Sequence, residues 1–193
     1  MAVPPLLRRI YRRLFRDHAI AALPSRIWLH GDLLPAVKAA GHKRMLFVGT
    51  QAYNRPFYRH CQGLSVFSID PDPANARYAA PSGHSIGFIQ DIARLAPGEK
   101  FDVIVFNGII GFGVNDVPAA LDALAAMAGA AAPGALLVIG WNPGRTDGAE
   151  IQALRPLLTP TTLGALPQAV EFPALGRAQR NPHVYEFFRF GRH

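Results

Sequence analysis

The stretch Arg44–Asp70, RMLFVGTQAYNRPFYRHCQGLSVFSID, decides how the rest of the chain is read. Met45-Leu46-Phe47-Val48 is an apolar run closed by Gly49, and Leu64 to Ile69 is a second one closed by Asp70. Short continuous runs of this kind suit strands buried on both faces of a parallel sheet. The segment between them predicts a turn and a crossover helix over Asn54 to Gln62, with Pro56 near its start where proline is tolerated. In an open parallel sheet a ligand lies across the carboxyl ends of neighbouring strands. A carboxylate about twenty residues after the first glycine is well placed there to accept from two ribose hydroxyls. Asp70 therefore suits an adenosine-bearing ligand.

Outward from this core, further strands alternate with helices. His84 to Gln90 (HSIGFIQ) precedes Asp91 and Ile92, and Phe101 to Phe106 (FDVIVF) precedes Asn107 and Gly108. Upstream, Trp28 to Ala40 predicts a short helix ended by Gly41, and PDPANARYAA after Asp70 predicts a helix beginning near Pro73. The alanine-rich Asp116 to Ala131 predicts a helix, Gly134 to Trp141 a fifth strand, and Ala149 to Leu158 a further helix. Gln168 to Leu175 and His183 to Phe190 flank the polar loop GRAQRN and predict an antiparallel hairpin. This order specifies an α/β fold: a Rossmann-like, seven-stranded, mainly parallel sheet with a C-terminal antiparallel hairpin and helices on both faces. The domain boundary falls at 40/41, with residues 1–40 as an N-terminal helical extension or lid and residues 41–193 as the sheet domain.

The chain has 193 residues, enough for one core, and a formal charge of +7. Five arginines (Arg8, Arg9, Arg12, Arg13, Arg16) sit in the first seventeen residues, so the remainder is only mildly basic. Leu6, Leu7, Ile10, Tyr11, Leu14 and Phe15 recur at helical spacing opposite them, which predicts a basic amphipathic helix. Its role stays open among packing on the domain, contact with a partner, an anionic membrane surface or nucleic acid, and lid closure. No apolar run is long enough to span a membrane, and the first residues lack the uninterrupted apolar stretch of a signal peptide. The single cysteine, Cys61, excludes an internal disulfide. A cytoplasmic location is the expectation. Oligomeric state is open, a homodimer being one arrangement.

The order of these signals resembles the class I S-adenosylmethionine-dependent methyltransferases over roughly Lys43 to Phe190. A first strand ends in Gly, acids follow the second and third, a turn follows the fourth, Pro-Gly precedes the fifth, and a hairpin closes the sheet. The resemblance implies S-adenosylmethionine as cofactor and methyl transfer to a small-molecule acceptor. It implies that Gly49, Thr50 and Tyr53 approach the methionine part and that Asp70 and Pro71 hold the ribose. It further implies that Asp91 and Ile92 meet the adenine and that Asn107 and Gly108 line the floor near the sulfonium. Phe112 and Asn115, in the loop after the fourth strand, and Trp141 and Asn142, after the fifth, are the substrate candidates. His30 and Asp116 are the candidates for a general base, needed only if the acceptor must lose a proton. Simpler roles compete: Asp70 and Asp91 could cap the segments that follow them, and Asn115 could cap a helix with Asp116 in its first turn.

One departure from the pattern is chemical. The first loop, VGTQAYN, carries Gly49 alone where two or three glycines are usual, which sets a divergent working site against one that has lost its ligand. A nicotinamide-dependent oxidoreductase is disfavoured because the GxGxxG fingerprint is absent. Base methylation of nucleic acid is disfavoured because FNGI replaces the expected Asn/Asp-Pro-Pro-aromatic turn. No metal is expected, since WNPG after the fifth strand supplies no converging carboxylates. The remaining alternative is a non-catalytic binding protein docked to a partner through its N-terminal helix.

Overall fold

The computed structural model describes residues 15–176 and 179–191. Apart from Phe15, the apolar stripe of the basic N-terminal helix lies outside the described residues. After a helical stretch at 15–21, the chain enters α1 (Pro24–Trp28), one π-helical turn (Leu29–Leu33) and α2 (Leu34–Ala39) as a nearly continuous rod. Proline begins α1, where its missing N–H costs nothing.

The sheet follows: β1 (Arg44–Val48), β2 (Ser65–Asp70), β3 (His84–Ile86), β4 (Phe101–Asn107) and β5 (Ala131–Trp141), then β6 (Leu158–Pro160), β7 (Ala169–Phe172) and β8 (His183–Phe190). The spatial order is β3-β2-β1-β4-β5-β8-β6, with β7 also pairing β8. The first five strands are parallel, and β8 runs antiparallel to β5 from Leu136↔Arg189 to Trp141↔Val184. The expected hairpin is present as β7 and β8, paired through Ala169↔Glu186 to Phe172↔His183. The sheet has eight strands where seven were expected, because the outer edge of β8 is shared by two short pieces. β7 takes its first half and β6 its second, at Leu158↔Phe190 to Pro160↔Phe188.

Helices cover both faces, and alternation along each strand sorts side chains between two cores. Leu46, Val48, Ile104, Phe106, Leu137 and Ile139 face α4 (Ile92–Leu95), α5 (Val117–Ala130) and α6 (Ala149–Leu154). Met45, Phe47, Val103, Val105, Leu136 and Val138 face the other way. There they meet α3 (Arg55–Arg59) and the N-terminal rod, whose Trp28, Leu29, Leu33, Leu34 and Val37 are buried. Trp28 stacks on Tyr185 of β8 with ring centroids 4.8 Å apart and tilts against Phe187 and Phe172. Residues 24–39 are thus packed into the same core as one face of the sheet. Among the described residues no helix is long and apolar enough to cross a membrane.

Several segments are shorter than their patterns predict. The helix near Pro73 is a 3-10 turn (Pro73–Tyr78), capped by Asp72, whose side chain accepts from the Ala74 N–H. α3 is five residues long and preceded by another 3-10 turn, Ala52–Asn54. β3 stops at Ile86, three residues into the predicted strand, and the chain turns through Gly87 into a 3-10 turn at Ile89–Asp91.

Candidate functional site

A cavity of about 390 Å³ opens at the carboxyl ends of β1, β2 and β4, where the parallel topology leaves a crevice between crossovers running to opposite faces. Its floor carries Gly49, Asn107 and Gly108, and one end is built from Asp70, Pro71, Asp72 and Asn75. Phe88, Gln90, Phe112 and Val114 form walls, and Arg26 of α1 enters beside Tyr53.

The first turn needs only the glycine it has. Gly49 has φ +79°, a left-handed conformation that strains any residue with a side chain, and a Cβ there would lie 2.7 Å from Ile109 Cδ1. No residue other than glycine adopts positive φ among the described residues, so the rest of the loop tolerates side chains. Side-chain hydrogen bonds hold its shape instead. Gln51 and Asn54 form a reciprocal capping box, with the Gln51 N–H donating to Asn54 Oδ1 at 2.8 Å. The Thr50 N–H donates to Asp70 Oδ2 at 2.8 Å, and its hydroxyl donates to the Tyr78 carbonyl at 2.8 Å and meets the Tyr58 hydroxyl at 3.0 Å. Burial pushes the Tyr58 hydroxyl far above the ordinary phenol range, so it stays protonated.

Asp70, almost fully buried, organises the neighbouring end. Its Oδ1 accepts from the Asp72 N–H at 2.9 Å and from Asn75 Nδ2 at 3.0 Å, while Oδ2 takes the Thr50 N–H. A carboxylate has about four acceptor positions, so little capacity remains for a ligand, and the Oδ2 of Asp72 is not used by its own cap. Below Gly108, Asn107 Nδ2 donates to the Tyr185 hydroxyl at 3.3 Å, and that hydroxyl donates to the Ser25 carbonyl at 3.0 Å. Burial pushes the Tyr185 phenol up to about 12. The chain of contacts links the cavity floor, β8 and α1.

Among the described residues Arg26 is the cation that lines the cavity. Its guanidinium carbon lies 4.9 Å from the centre of the Tyr53 ring, and its Nη2 would be 3.5 Å from a Cβ on Gly108. Among the described residues no carboxylate forms a salt bridge with it. Behind it, His183 packs edge-on against Tyr185, and burial together with Arg26 lowers its pKa to about 3. His183 is therefore neutral in the folded protein, whereas the unfolded chain takes up a proton below about pH 6.5. Stability is expected to fall as pH drops from there toward 3, with this one group removing about 3 kcal/mol by pH 4. Urea unfolding at pH 7 and pH 4 measures the slope. His183→Phe is expected to flatten it, and an equal slope in the variant would acquit the histidine.

Of the candidate residues named from the sequence, the structure gathers Gly49, Tyr53, Asp70, Pro71, Asn107, Gly108 and Phe112 around the cavity. Thr50 lies behind the wall and acts through its hydrogen bonds. Seven other candidate residues do not line it. Asp91 sits beside the surface, 3.4 Å from Arg94, and Ile92 is in the core, because β3 ends early and the 3-10 turn presents Gln90 to the cavity instead. Asp116 caps α5 by accepting from the Ala119 N–H at 2.8 Å, the task assigned to Asn115 in the simpler reading. Trp141 donates to Glu186 at 3.2 Å and Asn142 to the Pro182 carbonyl at 2.8 Å, so both face the β8 side. Asn115 is likewise absent from the lining, and His30 stacks on His60 with ring centroids 4.7 Å apart on the outer surface of the π turn. The sequence names Asn54 as an alternative to Tyr53 for closing on the cofactor, and it too lines the cavity; Arg26, Gln51, Asp72, Asn75 and Gln90 were missed. Only the carboxamides after Gly49 had a legible signal, as residues that can cap a turn.

No family model matches the chain, and no curated protein matches its sequence. Its fold matches solved structures. An N-methyltransferase, NodS, from Bradyrhizobium japonicum WM9 superposes with a TM-score of 0.63 at 21% identity, covering 84% of this chain and 94% of that one. A TehB-like S-adenosylmethionine-dependent methyltransferase from Corynebacterium glutamicum gives 0.62 at 20% identity, covering 97% and 100%. The fold is that of the class I methyltransferases. A third such structure, the 1,6-didemethyltoxoflavin-N1-methyltransferase of Burkholderia thailandensis with bound substrate and S-adenosylhomocysteine, gives 0.56 at 15% identity, covering 100% and 92%. The methyltransferase fold accounts for the strand order, the terminal antiparallel pair and the crevice above β1, β2 and β4.

Proposed function

We propose that the chain is an S-adenosylmethionine-dependent methyltransferase acting on a small molecule. The observation that carries the reading is the combination, in one cavity, of a turn that only glycine can make, a carboxylate end and an uncompensated guanidinium. These fit the cofactor's parts in order. Gly49 lets the backbone approach the methionine, Arg26 offers a counter-charge for its carboxylate, Asp70 and Asp72 offer acceptors to ribose hydroxyls, and Gln90 with Phe88 offers an amide and a ring to adenine. The group supplies an electrophilic methyl on a sulfonium. The protein's share is to hold donor and acceptor in line and to keep water out, which is worth several kcal/mol when geometry is tight.

Among the described residues no histidine or lysine lines the cavity. The acceptor in this reading brings its own lone pair, as an amine, thiolate or phenolate does, and Phe112 and Tyr53 give it a flat apolar approach.

The test is calorimetric titration with S-adenosylmethionine and S-adenosylhomocysteine, with NADH as control. Micromolar binding of the two sulfur compounds is expected. A folded protein that binds neither would move the non-catalytic reading to first place. Arg26→Met is expected to weaken S-adenosylhomocysteine by roughly 10- to 100-fold, the loss of a charge-assisted pair. It should leave 5′-methylthioadenosine, which has no carboxylate, unaffected; equal losses for both would remove Arg26 from the methionine end.

A further inference from the structure

Behind the cofactor cavity, separated from it by Thr50, lies a second and more open concavity of about 310 Å³. Arg55, Arg59 and Arg77 line it together with Tyr58, Tyr78 and Pro81. Arg55 and Arg59 stand one helical turn apart on α3, and Arg77 comes from the 3-10 turn after β2. Tyr78 holds two of them: the guanidinium carbons of Arg55 and Arg77 are 4.9 and 4.8 Å from its ring centre. Cation–π contacts of this length orient a guanidinium without neutralising it.

The charge balance separates these arginines from Arg44, Arg94 and Arg155. Arg94 meets Asp91 at 3.4 Å, Arg155 meets Glu186 at 2.7 Å, and Arg44 pairs with Glu99. Among the described residues no carboxylate pairs with Arg55, Arg59 or Arg77. Three like charges converging on one concavity repel each other unless an anion joins them. Guanidinium forks match the oxygens of a phosphoryl group, and three of them exceed what one carboxylate needs.

We infer that the Arg55–Arg59–Arg77 concavity is an anion site for a phosphoryl group carried by a small molecule. A small ligand fits because the three cations converge on one hollow and do not spread into a stripe that would track a nucleic-acid backbone. The site stands on the opposite side of Thr50 from the cavity proposed for the cofactor, and it holds whether or not that proposal does.

Calorimetric titration of the full chain with pyrophosphate at low salt tests it, against the Arg55→Gln/Arg77→Gln double variant and the single Arg59→Gln variant. All three arginines are exposed, and circular dichroism establishes that each variant is folded. Saturable binding to the unmodified chain is expected, weakened about tenfold or more in the double variant and less in Arg59→Gln. Absence of saturable binding, or equal binding by the double variant, overturns the assignment. A single-stranded oligonucleotide that binds more tightly than pyrophosphate, with affinity rising with its length, also overturns it and gives the hollow to nucleic acid.

Discussion

Asp70→Ala is expected to bring S-adenosylhomocysteine binding below detection and to unfold the protein at a markedly lower temperature. The carboxylate accepts from three donors at 2.8–3.0 Å, two of them backbone groups of the segments flanking the cavity. Removing it leaves the Thr50 N–H, the Asp72 N–H and Asn75 Nδ2 without their acceptor in a buried setting, at a cost of about 3 kcal/mol or more. For a chain of this size that corresponds to roughly 6–12 °C in melting midpoint. Asp72→Ala is the comparison for stability: it removes the cap on the Ala74 N–H at an expected cost of about 1 kcal/mol, and with it the second acceptor proposed for the ribose, so it lowers affinity with a much smaller loss of stability. Calorimetry and thermal unfolding on the pair decide the matter. Unchanged affinity in Asp70→Ala would remove the residue from the site, while an unchanged midpoint would refute its role as organiser of the two turns.

Gly140→Ala is the second substitution with a large expected effect, and it touches no proposed ligand. Gly140 lies in β5 beneath the cavity floor, where a Cβ would come within 2.3 Å of Asn107 Oδ1 and 2.8 Å of Tyr185 Cε1. Neither neighbour is free to retreat. Tyr185 is fully buried and holds Ser25, and Asn107 is tied to the same hydroxyl. One methyl group must displace one of them, which costs about 3 kcal/mol in a packed interior. The displaced Asn107 would also misshape the floor, so affinity for S-adenosylhomocysteine is expected to fall with stability. Gly129→Ala is the control: it lies in α5 with nothing within 4 Å of the added Cβ, and is expected to be neutral or slightly stabilising. Identical melting midpoints for the two variants would refute the close approach.

The strands were legible because they are buried on both faces. Runs such as Leu46-Phe47-Val48 and Val103-Ile104-Val105 have no other use in a chain of this composition, and their spacing fixed the parallel order. β3 misled because the pattern SIGFIQ is apolar for a different reason. Ile89 packs into the core from a 3-10 turn while Ile86 and Phe88 are exposed, and this early break moved Gln90 into the place expected of Asp91. The carboxylate of Asp70 was legible from its distance to Gly49. Its engagement with Thr50, Asp72 and Asn75 was not, because no local pattern encodes which donors a buried acid collects. Arg26 was illegible for a third reason: it reaches the cavity only through the packing of Trp28 on Tyr185, two residues far apart in the chain. The loop with one glycine was open between a divergent working site and one that has lost its ligand; its shape is held by the capping box and the Thr50 bonds, which no spacing of glycines could have shown.

The contact between Trp28 and Tyr185 also fixes an order of events during synthesis. A ribosome delivers α1 and α2 before β8, so the indole and the apolar face behind it wait for about 150 further residues, β1 to β7 among them, before their partner strand exists. Until then the Ser25 carbonyl lacks the Tyr185 hydroxyl and Arg26 lacks its seat beside Gly108. A nascent chain stopped short of residue 183 is therefore a sheet without its clasp, exposing Trp28 to chaperones and proteases, and the cavity is completed only when the last strand arrives.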